Sequence, residues 1–204
     1  MPSDRDQSVA GTPGPDARIR DAFVAAASDL SAVAESAYPD LVLRAVDMLE
    51  RSFNAGGKLL VFGNGGSSAD AQHLAAELVG RFARDRAPLP AIALTTNQAL
   101  LTAWSNDYRF DDIFARQIEA LARPCDVAMA ISTSGNSPNV LRGLAAAKAL
   151  HLTTIGLGGG TGGAMAEHCD LLLLAPVSQT PRIQQVHLAT YHVICAEIER
   201  RLFG

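Results

Sequence analysis

The chain has 204 residues, 48% of them hydrophobic, and a formal net charge of −4 at pH 7. A chain of this length buries roughly seven-tenths of its unfolded surface, so one domain can hold a full core. The acidic balance, with a pI near 5.7, argues against a general attraction to nucleic acid, and no apolar run reaches the roughly 20 residues of a membrane span. The three cysteines, Cys125, Cys169 and Cys195, lack CxxC spacing. They suit reduced thiols, so we expect a cytoplasmic protein. From the charge and the short apolar runs, we expect neither nucleic-acid nor membrane partners.

The beginning of the chain divides into a tail and two helices. Residues 1–16 are rich in proline, glycine and small polar residues, a composition that predicts a flexible tail. Residues 17–204 are predicted to form one domain. Apolar residues recur at helical spacing over 17–35 and 40–54, so two helices precede the first strand.

Short apolar runs then alternate with helical segments. The predicted strands are 58–62, 90–94, 126–131, 152–157 and 170–174. Five strands alternating with helices predict an α/β fold with a five-stranded parallel sheet between two layers of helices, which is the three-layer, flavodoxin-like arrangement. A last helix is predicted over 181–202. Ligands of such sheets bind in the loops after the strands.

The first of these loops reads GNGGSSAD at 63–70. Its glycines allow the backbone to approach an anion, Ser67 is predicted to cap the following helix, and Asp70 completes an arrangement like a capping box. The loop lacks the GK[ST] of a P-loop and the third glycine of a dinucleotide fingerprint. By itself, the motif is equally consistent with a tight turn and with an anion site.

The second loop reads STSGNSP at 132–138. Ser137 is predicted as the N-cap of the next helix and Pro138 as its first residue, so free N–H groups and hydroxyls converge on one point. Such a helix N-terminus favours a phosphate monoester. We favour this interpretation over a serine-rich turn without a ligand.

Two helices carry groups suited to metal binding or proton transfer. His73 and Glu77 lie four residues apart and share a helix face, where they could ligate a metal, transfer protons or form a solvated polar stripe. Arg81 is predicted to extend that face and pair with Glu77. The last helix carries Gln184, His187 and His192, and spacing alone does not choose between its two histidines.

Together these motifs resemble the sedoheptulose 7-phosphate (phosphoheptose) isomerases, a family with the SIS (sugar isomerase) domain. The resemblance is carried in order by residues 63–82, 105–108, 131–137 and 182–187 with His192. It implies a single SIS domain and an aldose-ketose isomerase that converts D-sedoheptulose 7-phosphate to D-glycero-D-manno-heptose 7-phosphate through an enediol(ate). It further implies a homotetramer with active sites at subunit interfaces and one Zn²⁺ per subunit.

The resemblance also assigns roles to residues. Glu77 and His192 would be the acid/base pair, which selects His192 over His187 and leaves His187 a structural role. The zinc ligands would be His73, Glu77, Gln184 and His192. Substrate and phosphate contacts would come from Asn64, Gly65, Ser67, Arg81, Asn97, Ser132, Thr133, Ser134, Ser137 and Gln184.

Two departures from the family pattern bear on substrate selectivity. Asn97 stands where many relatives have aspartate, and Pro181 stands where relatives often have a small or acidic residue. The alternative functions are a non-catalytic SIS protein that binds a replication initiator, and a sugar-phosphate sensor. The first departs from the isomerases at the positions of Glu77 and His192, which this chain keeps. The second usually carries a DNA-binding module, which we do not expect within these 204 residues.

Overall fold

The computed structural model describes residues 14–204. Its helices are α1 (Pro15–Glu35), α2 (Tyr38–Asn54), α3 (Gly66–Val79), α4 (Gln98–Asp107), α5 (Ile113–Leu121), α6 (Pro138–Ala149) and α7 (Thr180–Phe203). Its strands are β1 (Leu59–Gly63), β2 (Ala91–Ala93), β3 (Val127–Ser132), β4 (Thr153–Gly159) and β5 (Leu171–Ala175). Short 3-10 helices lie at Phe110–Asp112 and Gly163–His168.

All five strands pair in parallel, in the order β2-β1-β3-β4-β5. The predicted sheet and the two helices before it are confirmed, and every strand lies within two residues of its predicted bounds. The chain reverses its direction of travel across the sheet between β1 and β3, so the loops after these two strands flank the crevice where ligands of such sheets bind. These loops are the two glycine- and serine-rich motifs.

The core lies on both faces of the sheet because side chains alternate along each strand. Leu59 and Val61 of β1 pack on the side covered by α2, α3 and α7, whereas Leu60 and Phe62 pack on the side covered by α5 and α6. All four side chains are fully buried. Each such burial stabilises the fold by about 1.5–3 kcal/mol, which holds the carboxyl end of β1 firmly in place.

Helix α7 is packed along most of its length. Ile183, Val186, Tyr191, Ile194 and Ile198 form its buried stripe at helical spacing. This stripe lies against the sheet and against α2 and α3. Because α3 and α7 are neighbours, side chains on their facing surfaces meet.

Helix α1 is the least embedded element. None of its residues is buried, and Ile19, Phe23 and Val24 are 60%, 72% and 63% exposed. It is held to α7 by Arg182, which forms an ion pair with Asp29 and donates to a backbone carbonyl of α1. The helix therefore presents an apolar surface that the rest of the described chain does not cover.

The start of α1 also bears on the predicted tail. The helix begins at Pro15, two residues before the predicted start, so the tail prediction is wrong for its last two residues. Residues 1–13 of the predicted tail lie outside the described residues. Among residues 14–204, no helix combines the length and apolar character needed to cross a membrane.

Candidate active site

A polar cavity of about 200 Å³ opens at the carboxyl ends of β1 and β3. It is lined by Asn64, Ser67, Ile131, Ser132, Thr133, Ser134, Ser137, Thr180 and Gln184. The volume is below the ~300–1,000 Å³ typical of pockets for whole drug-sized ligands. The cavity therefore fits one end of a sugar phosphate better than an entire heptose.

The N-terminus of α6 gives this cavity its preference for an anion. Ser137 is the N-cap and Pro138 the first helical residue, as predicted, and the Ser137 side chain makes no capping hydrogen bond. The dipole of α6 favours negative charge at this end.

The hydroxyls of the second loop are arranged to donate. The Ser132 hydroxyl oxygen accepts the backbone N–H of Gly135 at 3.2 Å, and that of Ser134 accepts the N–H of Asn136 at 3.3 Å. Because these oxygens already serve as acceptors, their own hydrogens can be directed to another group. Phosphate oxygens are acceptors of the required kind.

The first loop joins the start of α6 through a pair of side-chain amides. Asn64 and the buried Asn139 exchange two hydrogen bonds of 2.8 and 2.9 Å. The Asn64 amide is thus committed to Asn139 in this structure. Gly65, predicted to bind substrate, is exposed and acts as the N-cap of α3 with φ +55°.

The predicted cap of α3 is wrong. The left-handed backbone at Gly65 starts the helix at Gly66, so Ser67 lies inside the first turn and makes no capping bond. Ser67 lines the polar cavity instead. Asp70 is engaged with Tyr191 of α7, whose hydroxyl donates to its carboxylate at 3.4 Å.

A second group of side chains meets farther along the facing surfaces of α3 and α7. His73, Glu77 and His192 offer ligand atoms that all lie within 4.8 Å of one another. His73 Nε2 is 3.0 Å from Glu77 Oε1, and the rings of His73 and His192 are edge to face with centroids 5.0 Å apart. The arrangement brings two imidazoles and a carboxylate together, which is one of the ligand sets of catalytic zinc sites.

The two histidines of α7 have different surroundings. His187 is buried and its Nε2 donates to the carbonyl of Gly158 at 3.0 Å. Burial lowers the pKa of His187, although the Gly158 bond opposes this, so the imidazole stays neutral at pH 7. His192 instead lies beside His73 and Glu77, with which it forms the cluster. Its Nε2 is buried without a hydrogen-bond partner in the described part of the chain.

Residues 22–159 match the family model of the SIS domain. The phosphoheptose isomerase of Crocosphaera subtropica is 55% identical over 159 residues, which cover 78% of this chain and 81% of that protein. This chain belongs to the phosphoheptose isomerase family. Solved phosphoheptose isomerases from Neisseria gonorrhoeae and Francisella tularensis superpose with TM-scores of 0.86 and 0.88. They are 37% and 35% identical, and each comparison covers 92% of this chain and all of the other.

Two residues assigned by resemblance to the isomerases lie outside both the polar cavity and the cluster of His73, Glu77 and His192. The predicted pairing of Arg81 with Glu77 is wrong, because α3 ends at Val79 and Arg81 instead lies 3.6 Å from Asp85. Asn97 is exposed and caps α4 by accepting the N–H of Leu100 at 3.1 Å. Neither lines the polar cavity of this subunit.

Gln184 lines the polar cavity. Its carboxamide packs directly against Gly66, so a side chain at that glycine would displace it. Eight residues separate Gln184 from His192, about 12 Å along the axis of α7. Its role as a metal ligand stays a prediction.

Three residues of the site were not singled out from the sequence. Thr180 lines the cavity and lies one turn before Gln184, a spacing of four that could have revealed it. Asn139 and Tyr191 act through long-range contacts with Asn64 and with α3. No local pattern signals such contacts.

Proposed function

We propose that this chain converts D-sedoheptulose 7-phosphate to the aldose D-glycero-D-manno-heptose 7-phosphate, as the names of its relatives suggest. The supporting observation is the placement of the cavity and the cluster along shared helices. Ser67 and His73 are six residues apart on α3, about 9 Å along the axis. The substrate carries its phosphate on C7 and reacts at C1 and C2, so its two ends need sites separated in this way.

The phosphate end is held by the second loop. Ser132, Thr133, Ser134 and Ser137 donate hydroxyl hydrogens to phosphate oxygens, and the N-terminus of α6 stabilises the charge. Binding this remote group orients the reacting carbons. Gln184, at the cavity wall, contacts the sugar between the two ends.

The reacting end lies at the cluster. Glu77 removes a proton from C1 to form an enediol(ate) and returns it to C2, while His192 transfers the proton between the oxygens. Both side chains are part-buried, so each keeps access to substrate while water is partly excluded.

The residues fit a bound zinc ion. Ligand atoms of a tetrahedral zinc site lie about 3.3–3.6 Å apart, given bond lengths of about 2.0–2.2 Å. The ligand atoms of the cluster all lie within 4.8 Å of one another, so side-chain movement would bring them to this spacing. The unpartnered His192 Nε2 is a further sign of fit. We assign His73, Glu77 and His192 as ligands, with Gln184 as the fourth. A bound Zn²⁺ supplies Lewis-acid stabilisation of the charge that develops on the substrate oxygens.

We also propose that the protein is a cytoplasmic homotetramer whose active sites are completed at subunit interfaces. An apolar groove between α1, α2 and α7 is lined by residues such as Val33, Val42 and Val193. His73 is 43% exposed, which leaves the cluster open to a neighbouring subunit. Light scattering should give about 86 kDa for four chains of 21.4 kDa, and a monomeric mass at micromolar concentration would refute the proposal.

The activity is tested by incubating zinc-loaded protein with sedoheptulose 7-phosphate and following the aldose by NMR. Glu77→Gln and His192→Gln should abolish the product while binding of inorganic phosphate persists, because the phosphate loop is intact. Phosphate-dependent binding without turnover by the wild type would refute the isomerase assignment and favour a sugar-phosphate sensor.

A further inference from the structure

Behind His73, on the side away from Glu77, two side chains form a chain of hydrogen bonds. The hydroxyl of Tyr191 lies 3.0 Å from His73 Nδ1 and 3.4 Å from Asp70 Oδ1. The Tyr191 ring is fully buried and meets the His73 ring edge to face, with centroids 5.4 Å apart. The reaction scheme above uses neither Tyr191 nor Asp70.

Asp70 has few partners for a carboxylate. Its only hydrogen bond within residues 14–204 comes from Tyr191, and its Oδ2 is buried without a partner. The Tyr191 phenol carries its hydrogen at pH 7, because the ordinary pKa of tyrosine is about 10. Tyr191 therefore has one hydrogen to donate and two acceptors within reach, Asp70 and His73 Nδ1.

The acceptor of the Tyr191 hydroxyl hydrogen decides whether His73 Nε2 can bind a metal. If Tyr191 donates to Nδ1, a neutral His73 must carry its hydrogen on Nε2, which then cannot bind a metal. If Tyr191 donates to Asp70, its oxygen is free to accept a hydrogen from Nδ1. Nε2 then presents a lone pair beside Glu77.

We propose that Asp70 and Tyr191 are positioning residues that hold His73 in the tautomer with the hydrogen on Nδ1, and so prepare Nε2 as a metal ligand. This inference rests on the zinc site proposed above. Asp70 acts only through Tyr191: it takes the phenol hydrogen, and Tyr191 in turn accepts the hydrogen of His73. Hydrogen-bond partners of metal-ligating histidines commonly contribute 10–100-fold to metal affinity.

The test measures Zn²⁺ affinity of the full chain by competition with a chromophoric chelator. Tyr191→Phe keeps the ring and removes only the hydroxyl, and we expect its affinity to fall roughly 10–100-fold. Asp70→Ala should also weaken binding although the hydroxyl remains, because Tyr191 then donates to His73. The double variant should bind no more weakly than the weaker single variant.

Tyr38→Phe is the matched control. Tyr38 is also a buried tyrosine, and its hydroxyl lies 3.0 Å from that of Thr190, in the groove between α1, α2 and α7. Removing this hydroxyl should leave zinc affinity unchanged. Thermal unfolding of each metal-free variant separates an effect on the site from an effect on the fold.

The outcomes are distinct. Wild-type affinity in Tyr191→Phe, or an equal loss in Tyr38→Phe, would overturn the inference while leaving the zinc site in place. Additive losses in the double variant would overturn it as well, because Asp70 and Tyr191 would then act separately. A wild type that binds no zinc would overturn both the site and the inference, whereas turnover of sedoheptulose 7-phosphate is measured independently.

Discussion

A buried ion pair fixes the end of the helix that carries His73 and Glu77. The Glu199 carboxylate accepts the Arg86 Nε hydrogen at 2.9 Å and the backbone N–H groups of residues 82–84 at 2.8–3.2 Å. The Arg86 guanidinium also donates to the carbonyls of Glu77 and Leu78, each at 2.9 Å. The two side chains are 1% and 3% exposed. Through these contacts Glu199 holds the loop after α3, and Arg86 satisfies carbonyls at the C-terminus of α3.

Glu199→Gln should therefore be strongly destabilising. The substitution leaves the Arg86 charge buried without its partner and turns amide hydrogens towards backbone N–H groups that need an acceptor. Breaking a buried pair from one side costs about 3–5 kcal/mol. For a domain of about 200 residues, at about 2–4 °C per kcal/mol, this predicts a fall in Tm of roughly 6–20 °C.

The assay is urea and thermal unfolding followed by circular dichroism, at one fixed chain concentration because association raises apparent stability. Glu119→Gln is the matched control: Glu119 pairs with Arg116 at 3.6 Å, and both side chains are about half exposed. Such surface pairs contribute about 0–1 kcal/mol. Equal, small losses in the two variants would refute the argument that burial makes the Glu199 pair important.

Three further predictions concern pH and the anion-binding loops. Burial raises the pKa of Glu199, but the N–H groups of residues 82–84 and Arg86 outweigh it and lower the pKa overall. The wild type should therefore lose this stabilisation as the pH falls below the unfolded value of about 4.3, and Glu199→Gln should lose less on acid unfolding. Asn139→Ala leaves Asn64 unpaired, so we expect the free energy of unfolding to fall by about 1–3 kcal/mol. Calorimetry should also show weaker binding of inorganic phosphate. Unchanged phosphate affinity would contradict a role for the Asn64–Asn139 pair in shaping the cavity. Gly135→Ala places a side chain on a left-handed backbone (φ +66°) and against the Gly162 carbonyl. Phosphate binding should therefore be lost. Normal binding would show that the loop tolerates the strain.

The active-site motifs were readable because each is local. The loop at 63–70, the loop at 132–138 and the pair His73 and Glu77 are short patterns with a known preference for anions or metals. The local pattern predicted the wrong N-cap for α3, because the start of that helix depends on one backbone angle. At Gly65 the positive φ moved the start of α3, which removed Ser67 from the capping position.

The sequence by itself determined the succession of strands and helices along the chain and the residue types at the strand ends. These features follow from apolar periodicity and helix-start signals, which act over a few neighbouring residues. Only the tertiary structure decided which distant groups meet. The packing of α3 against α7 brings His192 to His73 and places Tyr191 between His73 and Asp70, whereas the packing of α7 on β4 directs His187 to the carbonyl of Gly158. The contacts between α3 and α7 span more than 100 residues of chain, and they form only when the two helices bury their apolar stripes together.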